Sequence, residues 1–223
     1  NYALVSWSDA PQGRRTAIGW MSNWQYAADV PTMQYRSANT LPREIGLFRG
    51  DDGQTYASSA PSPELLALRG KTTANAKNVS LGGKTREFPL PKENGGICEI
   101  EATLNARDAD ALTLTLSNST GNQVTMTYNA SDRTMSMDRT RSGIVDFSES
   151  FPAVTVAPTR EDNGKIRLRI FIDRSSIELF GNDGKFVMTN LVFPEAPYTT
   201  LRISAAGGKA KLENLKIYSL KTK

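Results

Sequence analysis

The sequence predicts an all-β protein: an antiparallel β-sandwich, preceded by a smaller unit of strands. Three observations carry this. Helical periodicity is scarce along the chain. Apolar and polar residues alternate with period two in residues 112–116, 124–128, 166–172, 201–203 and 215–218, the pattern of strands that bury one face and wet the other. Gly, Asn, Asp and Pro punctuate these runs at the spacing of turns.

Residues 1–60 differ in character from the rest. They hold all three tryptophans, Trp7, Trp20 and Trp24. Strand-like pieces fall at residues 2–7, 15–20 and 44–48, and three or four strands in about sixty residues match one propeller blade. A blade is a single sheet and needs neighbours to bury both faces. No second copy of the pattern is present, so the unit reads as the end of an array. The chain opens on Asn1-Tyr2-Ala3-Leu4-Val5, which reads as mid-strand and leads us to expect a trimmed product.

Residues 61–74 read as a helical linker. Ser62 suits an N-cap, Pro63 the first helical position and Gly70 the stop. Residues 75–223 form the expected sandwich. One hairpin there follows from phase. Aliphatic residues fall on even numbers in residues 166–172 but on odd numbers in Ile177-Glu178-Leu179. One straight strand cannot change phase, because a one-residue slip flips every side chain. A turn is therefore expected in residues 173–176, and Asn182-Asp183-Gly184 marks a second.

Composition excludes several kinds of chemistry. There is no histidine, which removes His-dependent triads and His-ligated metals. The single cysteine, Cys98, sits in an apolar string and reads as a core residue rather than a nucleophile. No cofactor or metal is implied. Lys and Arg total 27 against 23 acids, but they are scattered, so no nucleic-acid footprint is present. No apolar run reaches the roughly 20 residues of a membrane span, and no signal peptide is visible.

Several strings resemble a known family. Asn1-Tyr2-Ala3, Gly13-Arg14-Arg15, the run from Ile18 to Trp24, and Leu41-Pro42-Arg43-Glu44 resemble the fifth and last blade of glycoside hydrolase family 32. Met137-Asp138-Arg139, Ser142-Gly143, the run from Phe171 to Phe180, and Asn182-Asp183-Gly184 resemble its C-terminal sandwich. The resemblance implies a lectin-like β-sandwich preceded by one four-stranded blade of an incomplete five-bladed propeller. It also implies a parent enzyme that cleaves β-fructofuranosyl bonds in levan, inulin or sucrose with retention. The missing N-terminal propeller and the fructan or sucrose substrate are the partners it implies. The family's Asn-Asp-Pro, Arg-Asp-Pro and Glu-Cys motifs are absent from this sequence. The chain is thus expected to carry no catalytic residue and to be inactive alone.

Among candidate site residues, Tyr2 and Trp20 occupy places that, by the resemblance, line the fructose pocket, and Trp24 is a third candidate for sugar contact. Aromatic rings offer apolar platforms with polar edges suited to binding sites. Asp173 and Glu178 flank the expected turn, close enough in sequence to be a candidate carboxylate pair. The simpler reading has Asp173 serving the turn backbone and Glu178 facing solvent. Arg43 and Glu44 read as a buried or interface ion pair. Two further functions stay open. One is a carbohydrate-binding module using Tyr128, Tyr198 and Tyr218 as a stacking surface, although tyrosines are also ordinary strand formers. The other is an assembly module pairing as a homodimer through a sandwich face.

Overall fold

The computed structural model describes residues 2–36, 38–159 and 161–221. The architecture is nearly all-β, as the alternation predicts. Strands β1 (Tyr2–Ser6), β2 (Thr16–Trp20), β3 (Arg43–Arg49) and β4 (Thr55–Pro61) form one antiparallel sheet in the order β1-β2-β3-β4. The remaining strands are β5 (Arg69–Ser80), β6 (Arg86–Pro89), β7 (Cys98–Asp108), β8 (Ala111–Ser117), β9 (Gln123–Asn129), β10 (Thr134–Arg141), β11 (Val154–Pro158) and β12 (Lys165–Ile172). They continue with β13 (Ser176–Gly181), β14 (Phe186–Leu191), β15 (Thr200–Ala206) and β16 (Lys209–Leu220). These twelve build two six-stranded sheets, ordered β11-β10-β9-β8-β15-β6 and β14-β13-β12-β7-β16-β5.

The two sheets bury their facing sides against each other. Leu112, Leu114, Leu116, Val124, Met126, Met135 and Met137 come from one sheet; Ile100, Leu104, Ile166, Ile170, Leu179 and Ile217 come from the other. Each such aliphatic side chain contributes about 1.5–3 kcal/mol by leaving water. Cys98 belongs to this core and is fully buried, and burial pushes its thiol up to about 12.

The predicted hairpin is present. β12 and β13 pair antiparallel with Ile170 opposite Leu179 and Ile172 opposite Ile177, so the even phase of one strand meets the odd phase of the next on the same face. The turn closes with the Asp173 amide donating to the Ser176 carbonyl at 2.9 Å. The second turn follows, with Asn182, Asp183 and Gly184 all at positive φ.

The linker departs from expectation. Residues 63–68 form a short 3-10 helix, Pro63–Leu68, and residues 69–74 already belong to β5. Ser62 makes no side-chain cap, and Gly70 lies within the strand rather than at a helix stop. The physical reason is tertiary. So short a run is marginal as a helix, whereas the following residues gain a ladder along β16, from Arg69 opposite Leu220 to Ser80 opposite Lys211. Leu65 seals the seam, packing with Phe171, Phe180 and Leu220.

The four-stranded sheet sits on the outer face of the second sandwich sheet. This explains β13, which is buried at every position. Its alternate side chains face the sandwich core on one side and the smaller sheet on the other. Gly184 marks the closest approach. Its carbonyl accepts the Ser59 amide of β4 at 2.9 Å, and a Cβ there would fall 2.5 Å from the Ser59 carbonyl carbon. At the far edge, every residue of β1 is exposed, including Leu4 and Val5, and so is Trp7 just beyond the strand.

Native-state hydrogen exchange should separate the two parts. We expect amides of residues 2–20 to exchange well before those of residues 166–172, since β1 is an exposed edge and β12 a buried central strand. Equal protection in a monomer would show that the small sheet is self-sufficient.

Candidate functional site

The three predicted sugar-contact residues come together at one end of the small sheet. Tyr2 lies opposite Trp20 across the β1–β2 ladder. Their rings meet edge to face at 6.2 Å between centroids, and Trp20 meets Trp24 at 5.0 Å with a 49° tilt. Tyr2 is 60% exposed and Trp24 75% exposed, while Trp20 is half-buried between them. The result is a continuous aromatic surface open to solvent.

Trp24 stands on a loop after β2, and that loop is built locally and anchored remotely. The Asn23 side chain accepts the Gln25 amide at 2.9 Å, and the Asn23 carbonyl accepts the Ala27 amide at 2.8 Å, a compact turn nucleated by one asparagine. Met21, Tyr26 and Val30 then bury themselves against Phe151, Leu191 and Phe193 of the sandwich. Tyr26 and Phe151 meet at right angles with centroids 5.2 Å apart. Arg139 lies over the Phe151 ring at 4.2 Å and donates from Nε to the Phe151 carbonyl at 2.9 Å. Sequence reasoning missed this anchor. Its signal was the Met137-Asp138-Arg139 string, in which Arg139 continues the buried phase of Met135 and Met137 along one strand.

The two candidate carboxylates, Asp173 and Glu178, separate. Asp173 stays in its turn and accepts the Arg174 amide at 2.7 Å, as the simpler reading expects. Glu178 does not face solvent: it is buried under the small sheet. It accepts the Leu41 amide at 2.6 Å and Arg43 Nη2 at 2.5 Å. Burial pushes its carboxyl up from the usual range, against the pull of Arg43. The expected Arg43–Glu44 pair is likewise corrected. Neighbouring strand residues point to opposite faces, so Arg43 meets Glu178 while Glu44 meets Arg14 at 2.9 Å. Arg14 also pairs with Glu64 of the 3-10 helix, which holds that exposed carboxyl down at about 2.

The proposed tyrosine stacking surface does not exist. Tyr128 and Tyr198 are buried, with hydroxyls donating to Glu161 at 2.5 Å and to the Ser142 carbonyl at 2.7 Å. The Tyr218 ring is covered by the Arg69 guanidinium at 4.2 Å. Among the described residues, no group of three or more His, Cys, Asp or Glu could hold a metal ion, and no helix is long and apolar enough to cross a membrane.

The comparisons with known proteins bear on this geometry. The model of the C-terminal region of glycosyl hydrolases family 32 matches residues 64–219, and that of the family's N-terminal domain matches residues 1–59. The chain belongs to glycosyl hydrolase family 32. The boundary between the two family models falls at the seam between the small sheet and the sandwich. Over 99% of its length this family member is 40% identical to a levanase of Bacillus subtilis (strain 168), covering 33% of that protein. It is 28% identical to the extracellular exo-inulinase of Aspergillus awamori, over 98% of its length and 41% of that protein. The chain thus spans about a third to two fifths of these relatives. A crystal structure of the Aspergillus awamori exo-inulinase superposes with a TM-score of 0.87 and 27% identity, covering 99% of this chain and 43% of that one.

The Arg43–Glu178 pair gives a direct test of how the two parts hold together. Arg43→Met leaves a buried carboxylate without its cation, and we expect a loss of about 3–5 kcal/mol in urea unfolding followed by tryptophan fluorescence. Arg43→Met combined with Glu178→Leu should recover most of that loss. A single variant as stable as the parent chain would mean that the pair does not hold the seam.

Proposed function

We propose that this chain is the last propeller blade and C-terminal sandwich of an enzyme that hydrolyses β-fructofuranosyl bonds in fructans, and that it supports the reaction without supplying the reacting carboxylates. One observation carries the reading. The likeness to a levanase runs through nearly the whole chain, and within it Tyr2, Trp20 and Trp24 gather into one exposed aromatic surface. In the intact enzyme these rings form part of the wall of the fructose pocket. The preceding blade packs on the apolar edge presented by β1.

The carboxylates favour the same division of labour. Retaining glycoside hydrolysis uses two carboxyl groups about 5–5.5 Å apart across the scissile bond, one of them free to exchange a proton. Glu178 is occupied by Arg43 and the Leu41 amide under the blade, and Asp173 by the backbone of its own turn. Neither is presented to the aromatic surface as an acid or a nucleophile. The sandwich instead fixes the blade, through the Arg43–Glu178 pair at one point and the Tyr26–Phe151 contact at another.

Two assays test this. The chain alone, incubated with levan, inulin or sucrose, should release no reducing sugar above a buffer blank. Release abolished by a mutation within this chain would overturn the reading. In the full-length parent, Trp20→Ala should lower kcat/KM by about tenfold or more, the scale of losing a well-packed aromatic contact. Unchanged kinetics in a folded variant would remove the aromatic surface from the pocket.

A further inference from the structure

A cleft of about 440 Å³ opens at the other end of the blade, where the β3–β4 hairpin faces the loops of the sandwich. Its size is in the range of sites that take small ligands. The β2–β3 register places Ala17 opposite Arg43, so Phe48 in this cleft stands about 25 Å from the level of Trp20 at ~3.3 Å per residue. The two places are separate.

The blade wall of the cleft is aromatic and fixed in advance. Tyr56 is 43% exposed, yet it is held on three sides. Its ring stacks on Phe48 at 5.6 Å and 29°. Its hydroxyl donates to Asp52 at 2.5 Å. Gly50 lies against its edge, where a Cβ would come within 2.7 Å of the ring, so the bare backbone is what lets the tyrosine sit there. The sandwich wall is polar. Glu161 is oriented by the Tyr128 hydroxyl, and Asp162 by Arg167 at 2.9 Å. Those contacts hold both carboxyls below their ordinary range, ready to accept hydrogen bonds. Asp132, Arg133 and Lys185 complete the rim.

We propose that this cleft is a second saccharide-binding site, taking a short stretch of a neutral glycan chain, and on the reading above a fructan. Sugar rings have an apolar C–H face and a rim of hydroxyls; the first suits a rigid aromatic platform and the second suits oriented carboxylates and cationic donors. Carboxylates outnumber cationic side chains on the lining, which disfavours a polyanion. Ordering Tyr56 beforehand removes part of the entropy cost of binding. A chain held here keeps its other segments near the blade's far end, raising their effective concentration at the fructose pocket.

Native affinity electrophoresis of this chain in gels containing levan, inulin or starch tests the site. Levan or inulin should retard the chain. Tyr56→Ala should weaken the association at least about tenfold, a difference of 1.4 kcal/mol, and Tyr56→Phe should retain most of it. Asp132→Ala, an exposed change on the opposite wall, should also weaken retardation, while Met33→Ala, an exposed change outside the cleft lining, should leave it intact. Circular dichroism of each variant excludes unfolding as the cause. Retardation by no polysaccharide, or equal retardation of the parent chain and Tyr56→Ala, overturns the proposal. Retardation by starch alone, lost in Tyr56→Ala, upholds a saccharide site and overturns the fructan reading, so the two failures are told apart.

Discussion

The buried ion pair between Arg43 and Glu178 is the contact on which the arrangement of this molecule depends. Moving two charges out of water costs several kcal/mol per ion, and close geometry with further hydrogen bonds is needed to offset it. Here Glu178 accepts from Arg43 and from the Leu41 amide, while Arg43 also donates to Thr189 Oγ1 at 2.5 Å and lies 5.2 Å from the centre of the Phe180 ring. The carboxylate comes from the sandwich and its donors come from the strand that enters the small sheet. Neither partner can shift without stranding the other, so the pair fixes the register between the two units as a ladder fixes two strands.

The rest of the seam follows from that registration. With β3 fixed, β4 lies against the Asn182–Gly184 turn closely enough that only glycine fits at position 184. Leu65 closes one side against Phe171 and Phe180, and the loop after β2 closes the other against Phe151 and Phe193. The loop that carries Trp24 is therefore positioned by the sandwich, although the tryptophan belongs to the blade. The sandwich thus sets the placement of the exposed Trp24 ring through packing. Interiors packed at crystal-like density transmit such constraints because they leave little free volume to absorb a shift.

The candidate site was partly legible. Tyr2 and Trp20 face each other across neighbouring strands, and Trp24 lies only a few residues beyond the end of β2, so local geometry brings the three together once β1 and β2 pair. The anchoring of the Trp24 loop was not legible, because Tyr26 and Phe151 are far apart in sequence and nothing in either segment names the other. The tyrosines of the sandwich misled for a related reason. Tyr128, Tyr198 and Tyr218 are strand or loop residues whose type suits exposure and burial equally, and the partners that cover them, Glu161, the Ser142 carbonyl and Arg69, come from other elements.

The sequence by itself determined the all-β class, the alternating core positions and the hairpin between β12 and β13, because period-two patterning and a change of phase act over a few neighbouring residues. It did not determine how the chain runs between blade and sandwich. Ser62, Pro63 and Gly70 carry good local signals for a helix, yet residues from Arg69 onward were drawn into the β16 ladder, whose many backbone hydrogen bonds outweigh the weak propensity of so short a helix. Nor did it decide the surroundings of Glu178. Alternation shows which residues turn away from a sheet's own core, but not whether water or another sheet waits on that side. That was settled only when the small sheet docked on β13 and met the outward carboxylate with Arg43.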